Sequence, residues 1–275
     1  MPEGPEIRQA ADRVEAAVAH RKIEAIEFAF GYLQPFERRL CGRLVTRVDT
    51  RGKAMLTHFD NGWTIYSHNQ LYGRWYTCAR GRIPQTNRQL RLALHNDRHS
   101  AYLYSASDIE VVKTKRLDEH PFLARLGPDV LSENPSVEDI VQRLQSRSFC
   151  RRQLGALLLD QGFVAGLGNY LRAEILTLAR LHPLRRPTDC TPEQIDKLAR
   201  LIIKITRRSY RTRGITNPPS LVARLKAKGL KKREQYRFNT YGRAGKACHY
   251  CGTNIELNMS GGRKMYFCPG CQPSS

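Results

Sequence analysis

Two Cys-x-x-Cys pairs, Cys248/Cys251 and Cys268/Cys271, are separated by 16 residues near the C-terminal end of the chain. Four thiolates at this spacing can close a tetrahedron around one metal ion while the intervening residues form a β-hairpin. A four-thiolate site has no open coordination position, so such an ion is structural and activates no water. The metal expected is one zinc ion. Between the pairs, Ser260-Gly261-Gly262-Arg263 reads as a turn that presents Arg263. A generic zinc ribbon with an incidental surface arginine would carry the same pattern. The other cysteines, Cys41, Cys78, Cys150 and Cys190, are scattered singly and read as buried or idle thiols.

Charge narrows the partner. Across 275 residues, 46 Lys and Arg stand against 25 Asp and Glu, a net charge of +21. A hydrophobic fraction of 41% excludes a disordered polycation. No apolar run approaches the roughly 20 residues that span a bilayer. The first six residues lack the basic and apolar regions of a signal peptide. The expectation is an intracellular, cytoplasmic protein with a polyanionic partner, nucleic acid ahead of a membrane surface.

Periodicity sets the organisation. Ile7, Ala10, Ala11, Val14, Ala17 and Val18 share one face of a helix that Gly4-Pro5 opens. From Ile23 to Tyr104 the chain turns to short β-type runs: Ile23–Phe30, Leu44–Asp49, Ala54–Phe59, Trp63–His68, Leu90–His95 and Ala101–Tyr104. Residues 127–135 read as a linker. Ser136 with Asp139, and Thr191-Pro192 with Gln194, are helix starts. Helical runs are expected over Gln153–Leu159, Asn169–Arg180 and Thr191–Arg207. The division is therefore a β-rich domain over 1–126, the linker, a helical domain over 136–220, a basic connector over 221–240 and a zinc module over 241–275. Between Arg207 and Lys246 there are 13 basic residues and one acidic residue, Glu234. Such a run suits a solvated connector or a phosphate-attracting tract.

Two further segments could carry chemistry. Gly166-Leu167-Gly168-Asn169-Tyr170 places glycines before a helix, where backbone N–H groups and the positive helix end can meet a phosphate. A plain interhelical turn has the same composition. At the N-terminus, removal of Met1 would leave Pro2 as a free secondary amine. An α-amino group titrates near 8, so a neutral fraction exists at cellular pH. A neutral amine can attack a sugar C1′ and form an iminium. The helix that follows aims its positive end at this amine and disfavours the ammonium form. Glu3, adjacent, could move protons at the sugar.

Met1-Pro2-Glu3-Gly4-Pro5-Glu6-Ile7, Arg51-Gly52-Lys53-Ala54, Gly166-Leu167-Gly168-Asn169-Tyr170 and the paired cysteines occur in that order along nearly the whole chain. Together they resemble the formamidopyrimidine-DNA glycosylase/endonuclease VIII family of bifunctional base-excision enzymes. Gly4, where the formamidopyrimidine branch typically has Leu, and Gln70-Leu71-Tyr72 within Tyr66–Gly73 make the match nearest to the endonuclease VIII branch. In that branch such a triplet fills the space left by the flipped nucleotide.

The resemblance implies roles for particular residues. Pro2 is the nucleophile at C1′, Glu3 the proton shuttle, and Glu6 an ordering residue of the first helix. Lys53 contacts phosphate and assists catalysis. Gly168 and Asn169, in a helix-two-turn-helix motif, and Arg263, in the zinc hairpin, grip phosphates flanking the lesion, contacts that carry no sequence information. The implied fold is α+β and multidomain: an N-terminal β-sandwich with flanking helices, a helix-two-turn-helix domain and a terminal zinc-finger β-hairpin. The implied activity is excision of oxidised pyrimidines from damaged duplex DNA, then β- and δ-elimination, by a monomer with no membrane partner and no redox or nucleotide cofactor. A formamidopyrimidine-type enzyme on oxidised purines, and a non-catalytic zinc-ribbon binder, remain open alternatives. Leu221–Arg237 is longer and more basic than the family pattern leads one to expect, and base preference is what this departure touches.

Overall fold

The apolar stripe at the N-terminus folds as helix α1 (Gly4–Val18). Ile7, Ala10, Ala11, Val14, Ala17 and Val18 are all buried. Pro5 lies in the first turn, where its missing N–H removes no helical bond. Glu3 is the N-cap residue, and the Glu6 carboxylate accepts its backbone N–H at 3.1 Å. The computed structural model of the chain describes residues 2–260 and 262–274. Met1 and Gly261, which the sequence reading involves, lie outside the described residues. The chain divides into two units, Met1–Leu126 and Gly127–Ser275.

In the first unit α1 is followed by β1 (Ala25–Phe28), α2 (Glu37–Leu40), β2 (Val45–Arg51), β3 (Ala54–Phe59), β4 (Trp63–His68), β5 (Arg74–Ala79), β6 (Leu90–His95), β7 (His99–Tyr104) and β8 (Asp108–Lys113). They form two four-stranded antiparallel sheets, in the orders β1-β6-β7-β5 and β2-β3-β4-β8. Phe28, Leu92 and Leu103 from one sheet, Val48, Met55 and Ile65 from the other, and Val14 and Val18 of α1 make one buried cluster. The unit is therefore a sandwich with a helix closing part of its core.

Strands β5 and β8 are absent from the sequence reading, and both are edge strands. Only Trp75 of β5 is buried, so its own pattern carries little alternation. Pairing with β7 and β4 makes these segments strands, more than their composition does.

In the second unit come α3 (Val137–Gln145), α4 (Leu154–Leu157), α5 (Asn169–Ala179), α6 (Pro192–Arg211), α7 (Pro219–Ala227), α8 (Arg233–Tyr236) and the hairpin of β9 (Glu256–Ser260) and β10 (Arg263–Phe267). Both helix starts read from sequence are capped. Ser136 Oγ accepts the Asp139 N–H at 3.0 Å, and Thr191 Oγ1 accepts the Gln194 N–H at 3.3 Å. Leu144, Leu157, Leu171, Ile175, Leu198 and Ile202 share one core.

Residues 221–240, expected as a basic connector, instead carry most of α7 and all of α8. Leu221 and Leu225, four apart on one helical face, are buried, and the density of cations around them masks that short stripe. No helix among the described residues is long and apolar enough to cross a membrane.

Candidate active site and metal centre

In the first unit Pro2 and Glu6 line a cavity of about 650 Å³ together with Arg13, Leu71, Tyr72 and Arg88. Glu3 is buried at 2% relative exposure, at the N-cap of α1. Pro2 immediately precedes this N-cap, so it stands at the positive end of α1. Three arginines, Arg13, Arg74 and Arg88, stand in the cavity wall, which suits an anionic ligand.

The loop between β4 and β5 also lines the cavity, through Asn69, Leu71, Tyr72 and Gly73. Gln70 has φ +48°, and its N–H donates to His68 Nδ1 at 3.1 Å. Its side-chain oxygen accepts from Ser107 Oγ at 2.7 Å. The Gly73 N–H donates to the Asn69 carbonyl at 2.7 Å, and Arg88 donates to the Tyr72 carbonyl at 2.5 Å. Tied at four points, the loop nevertheless leaves Leu71 and Tyr72 exposed, at 59% and 70%. Large apolar side chains held out on an ordered turn are suited to insertion into a partner.

A Cβ on Gly73 would stand 2.6 Å from both the Asn69 Cα and carbonyl oxygen. Backbone cannot yield as a flexible side chain can. Gly73→Ala is therefore expected to lose about 1–3 kcal/mol in denaturant unfolding. An unchanged unfolding midpoint would mean the turn relaxes without strain.

Lys53 occupies the two-residue turn between Arg51 and Ala54, with Gly52 at φ +61° as hairpin turns of this length require. Lys53 is not among the residues lining the cavity. It lies next to the base of the β4–β5 loop: Ala54, which follows it, pairs with His68 across β3 and β4. Burial lowers the His68 pKa, with Asp108 opposing and the Lys53 charge reinforcing the fall. A neutral His68 keeps Nδ1 as the acceptor that Gln70 needs.

The second unit holds the other expected contacts. Gly166 has φ +84°, Gly168 is the N-cap of α5, and Asn169 is its first residue. Arg263 is exposed at the start of β10, paired in register with Ser260.

Two residues of α5 were missed by the sequence reading. Arg172, 2% exposed, donates to the Gly155 carbonyl at 2.9 Å, to the Lys264 carbonyl at 2.8 Å and to Asn169 Oδ1. Glu174, fully buried, accepts the N–H groups of Asn239, Thr240 and Tyr241 at 2.8, 2.9 and 2.9 Å, and the Thr216 hydroxyl at 2.9 Å. The available signal was a pair of charges inside an otherwise apolar helix, since buried charges demand partners.

The Sγ atoms of Cys248, Cys251, Cys268 and Cys271 lie within 4.8 Å of one another, with Cys248–Cys271 at 3.8 Å and Cys251–Cys268 at 3.3 Å. Zinc–sulfur bonds of about 2.3 Å imply tetrahedral S–S edges of about 3.8 Å. The donor set and spacing fit such an ion. A hydrogen bond with Thr253 holds the Cys251 thiol at about 6, while burial pushes Cys268 up to about 11 and raises Cys271 as well. Thiols raised by burial deprotonate together only around a cation.

Two family models match the chain: the formamidopyrimidine-DNA glycosylase N-terminal domain over residues 1–106 and the H2TH domain of the same glycosylase over 126–218. Endonuclease 8 of Salmonella paratyphi B is 47% identical over 272 residues, covering 99% of this chain and 100% of that protein. The chain belongs to the formamidopyrimidine-DNA glycosylase/endonuclease VIII family. Endonuclease 8 of Salmonella typhimurium matches at the same identity and coverage. Among solved members of the family, the Lactococcus lactis formamidopyrimidine-DNA glycosylase bound to DNA containing an oxidised pyrimidine superposes with a TM-score of 0.81 at 22% identity. That match covers 99% of this chain and 100% of the other. The same glycosylase bound to DNA containing an abasic site also gives 0.81 at 22% identity over the same coverage. The shared fold is the sandwich, the H2TH helices and the cysteine-bearing hairpin.

Proposed function

We propose that this chain is a bifunctional DNA glycosylase and AP lyase that removes oxidised pyrimidines from duplex DNA in base-excision repair. The observation that carries the chemistry is the cavity shared by Pro2 and Glu6 with the exposed Leu71 and Tyr72 of the β4–β5 loop. A nucleophile and a wedge for an orphaned base in one cavity suit an enzyme that takes a nucleotide out of the stack. The full-length identity to endonuclease 8 proteins supports the pyrimidine class.

With Met1 removed, the Pro2 nitrogen attacks C1′ and the base departs with the glycosidic electron pair, taking up a proton. Glu3 delivers a proton to the ring oxygen of the sugar, whose opening leaves an iminium between Pro2 and C1′. Loss of a C2′ proton expels the 3′ phosphate. A second elimination expels the 5′ phosphate, and hydrolysis frees the amine. Lys53 contributes charge near the loop that replaces the flipped nucleotide. Gly168, Asn169 and Arg263 bind backbone phosphates and set the register. Cys248, Cys251, Cys268 and Cys271 would hold one zinc ion, which would supply structure only. The protein acts as a cytoplasmic monomer without a redox or nucleotide cofactor.

The test is a lesion panel with borohydride present. Duplexes carrying dihydrouracil should be cut, and should trap a covalent adduct, in preference to duplexes carrying 8-oxoguanine. Preference for the purine would reassign the substrate class. Binding without cutting or trapping would leave only a nucleic-acid binder.

A further inference from the structure

We propose that Arg172 is a positioning residue that locks Asn169 and the Arg263 hairpin into one phosphate-binding unit. Its planar guanidinium donates to three elements at once: the Gly155 carbonyl in α4, the Asn169 side chain at the start of α5 and the Lys264 carbonyl in β10. Arg172 and Lys264 are 92 residues apart in sequence. The fork geometry of arginine fixes the directions of its bonds, as lysine's single ammonium does not.

Two consequences follow from the bonding. Because Asn169 Oδ1 faces the guanidinium, its NH₂ group is left to donate, which is the polarity an anionic oxygen requires. Because the Lys264 carbonyl is held, the backbone immediately after Arg263 is fixed relative to α5. The junction is tight on its third side too. A Cβ on Gly155 would lie 3.1 Å from Pro183 and 3.2 Å from the Met265 sulfur, so α4 and β10 meet closely there. Burying a cation is costly, and a buried cation spanning three elements at a junction specifies geometry more than it adds stability.

This inference rests on reading Asn169 and Arg263 as phosphate contacts. The experiment measures affinity for a duplex carrying a tetrahydrofuran abasic analogue over a range of salt concentrations. Arg172→Lys should bind about tenfold more weakly. The slope of log affinity against log salt should fall by about 0.9, the amount of one lost cation–phosphate contact, although Arg172 itself is buried. That slope does not depend on what fraction of the sample is folded. In the Arg172→Lys/Asn169→Ala double variant the two losses should overlap, leaving it within about twofold of Arg172→Lys alone. Should Arg172→Lys fail to fold, Asn169→Ala is read on its own. It removes no charge, yet should lower the salt slope if the strut transmits to Arg263. Unchanged slopes, or fully additive losses, overturn the proposal. If the wild-type protein shows no preference for the abasic duplex over an undamaged one, the functional reading fails instead.

Discussion

Replacing Pro2 with glycine should cut borohydride trapping on abasic duplex DNA by on the order of a thousandfold or more. The substitution keeps a small residue after Met1, so it still exposes an amine. It replaces a secondary amine, whose iminium carries a fixed positive charge, with a primary one whose imine must first be protonated. It also removes the pyrrolidine ring that fixes the nitrogen's substituents, and so its lone pair, where Pro2 lines the cavity with Glu6. Positioning of this kind is where much of an enzyme's rate arises. Gel quantitation of the trapped adduct over time gives the measurement. Trapping at the wild-type rate would move the nucleophile to another amine. Lys53, in the β2–β3 hairpin turn, would then be the first to replace with alanine.

Stripping the metal should have the second large effect. The hairpin's own buried cluster consists of Cys248, Ile255, Cys268 and Cys271, too little apolar surface to hold the module without its ion. Zinc sites in isolated finger modules supply about 10–16 kcal/mol of binding that is also folding free energy. A strong chelator should release one zinc per chain and abolish specific DNA binding, as should Cys268→Ala. The effect should reach α5. Buried Gln272 accepts the Cys268 N–H at 2.9 Å and the Thr177 hydroxyl at 2.9 Å, and donates to the Leu181 carbonyl at 2.8 Å. The sandwich has a separate core and should keep its melting transition. Wild-type affinity after verified zinc release would show that the hairpin holds its shape by other means.

Much of this arrangement is written locally. The cysteine spacing fixes which four thiols can converge, and Ser136 and Thr191 mark where helices begin. Strands β3, β4 and β6 follow from alternating or apolar runs bounded by turns. In each case the information lies within one period of the element concerned, so a single stretch of sequence contains both the signal and its meaning. The candidates Pro2, Gln70–Tyr72, Asn169 and Arg263 lie in short motifs too, but there it is the family resemblance, through the joint occurrence of several motifs, that singles them out.

What only the tertiary structure decided is the set of partners reached across long sequence separations. Strands β5 and β8 exist because neighbouring strands complete their hydrogen bonds. Helix α7 docks two leucines inside a segment whose composition is dominated by cations. Arg172 and Glu174 stand out as the two charges of an apolar helix, but only the fold supplies their partners. One then joins residues in α4 and β10, and the other collects the backbone of Asn239, Thr240 and Tyr241. A periodic pattern states that a face is buried. It does not state against what, because a buried charge is satisfied by whichever distant backbone groups the packing brings within hydrogen-bonding range.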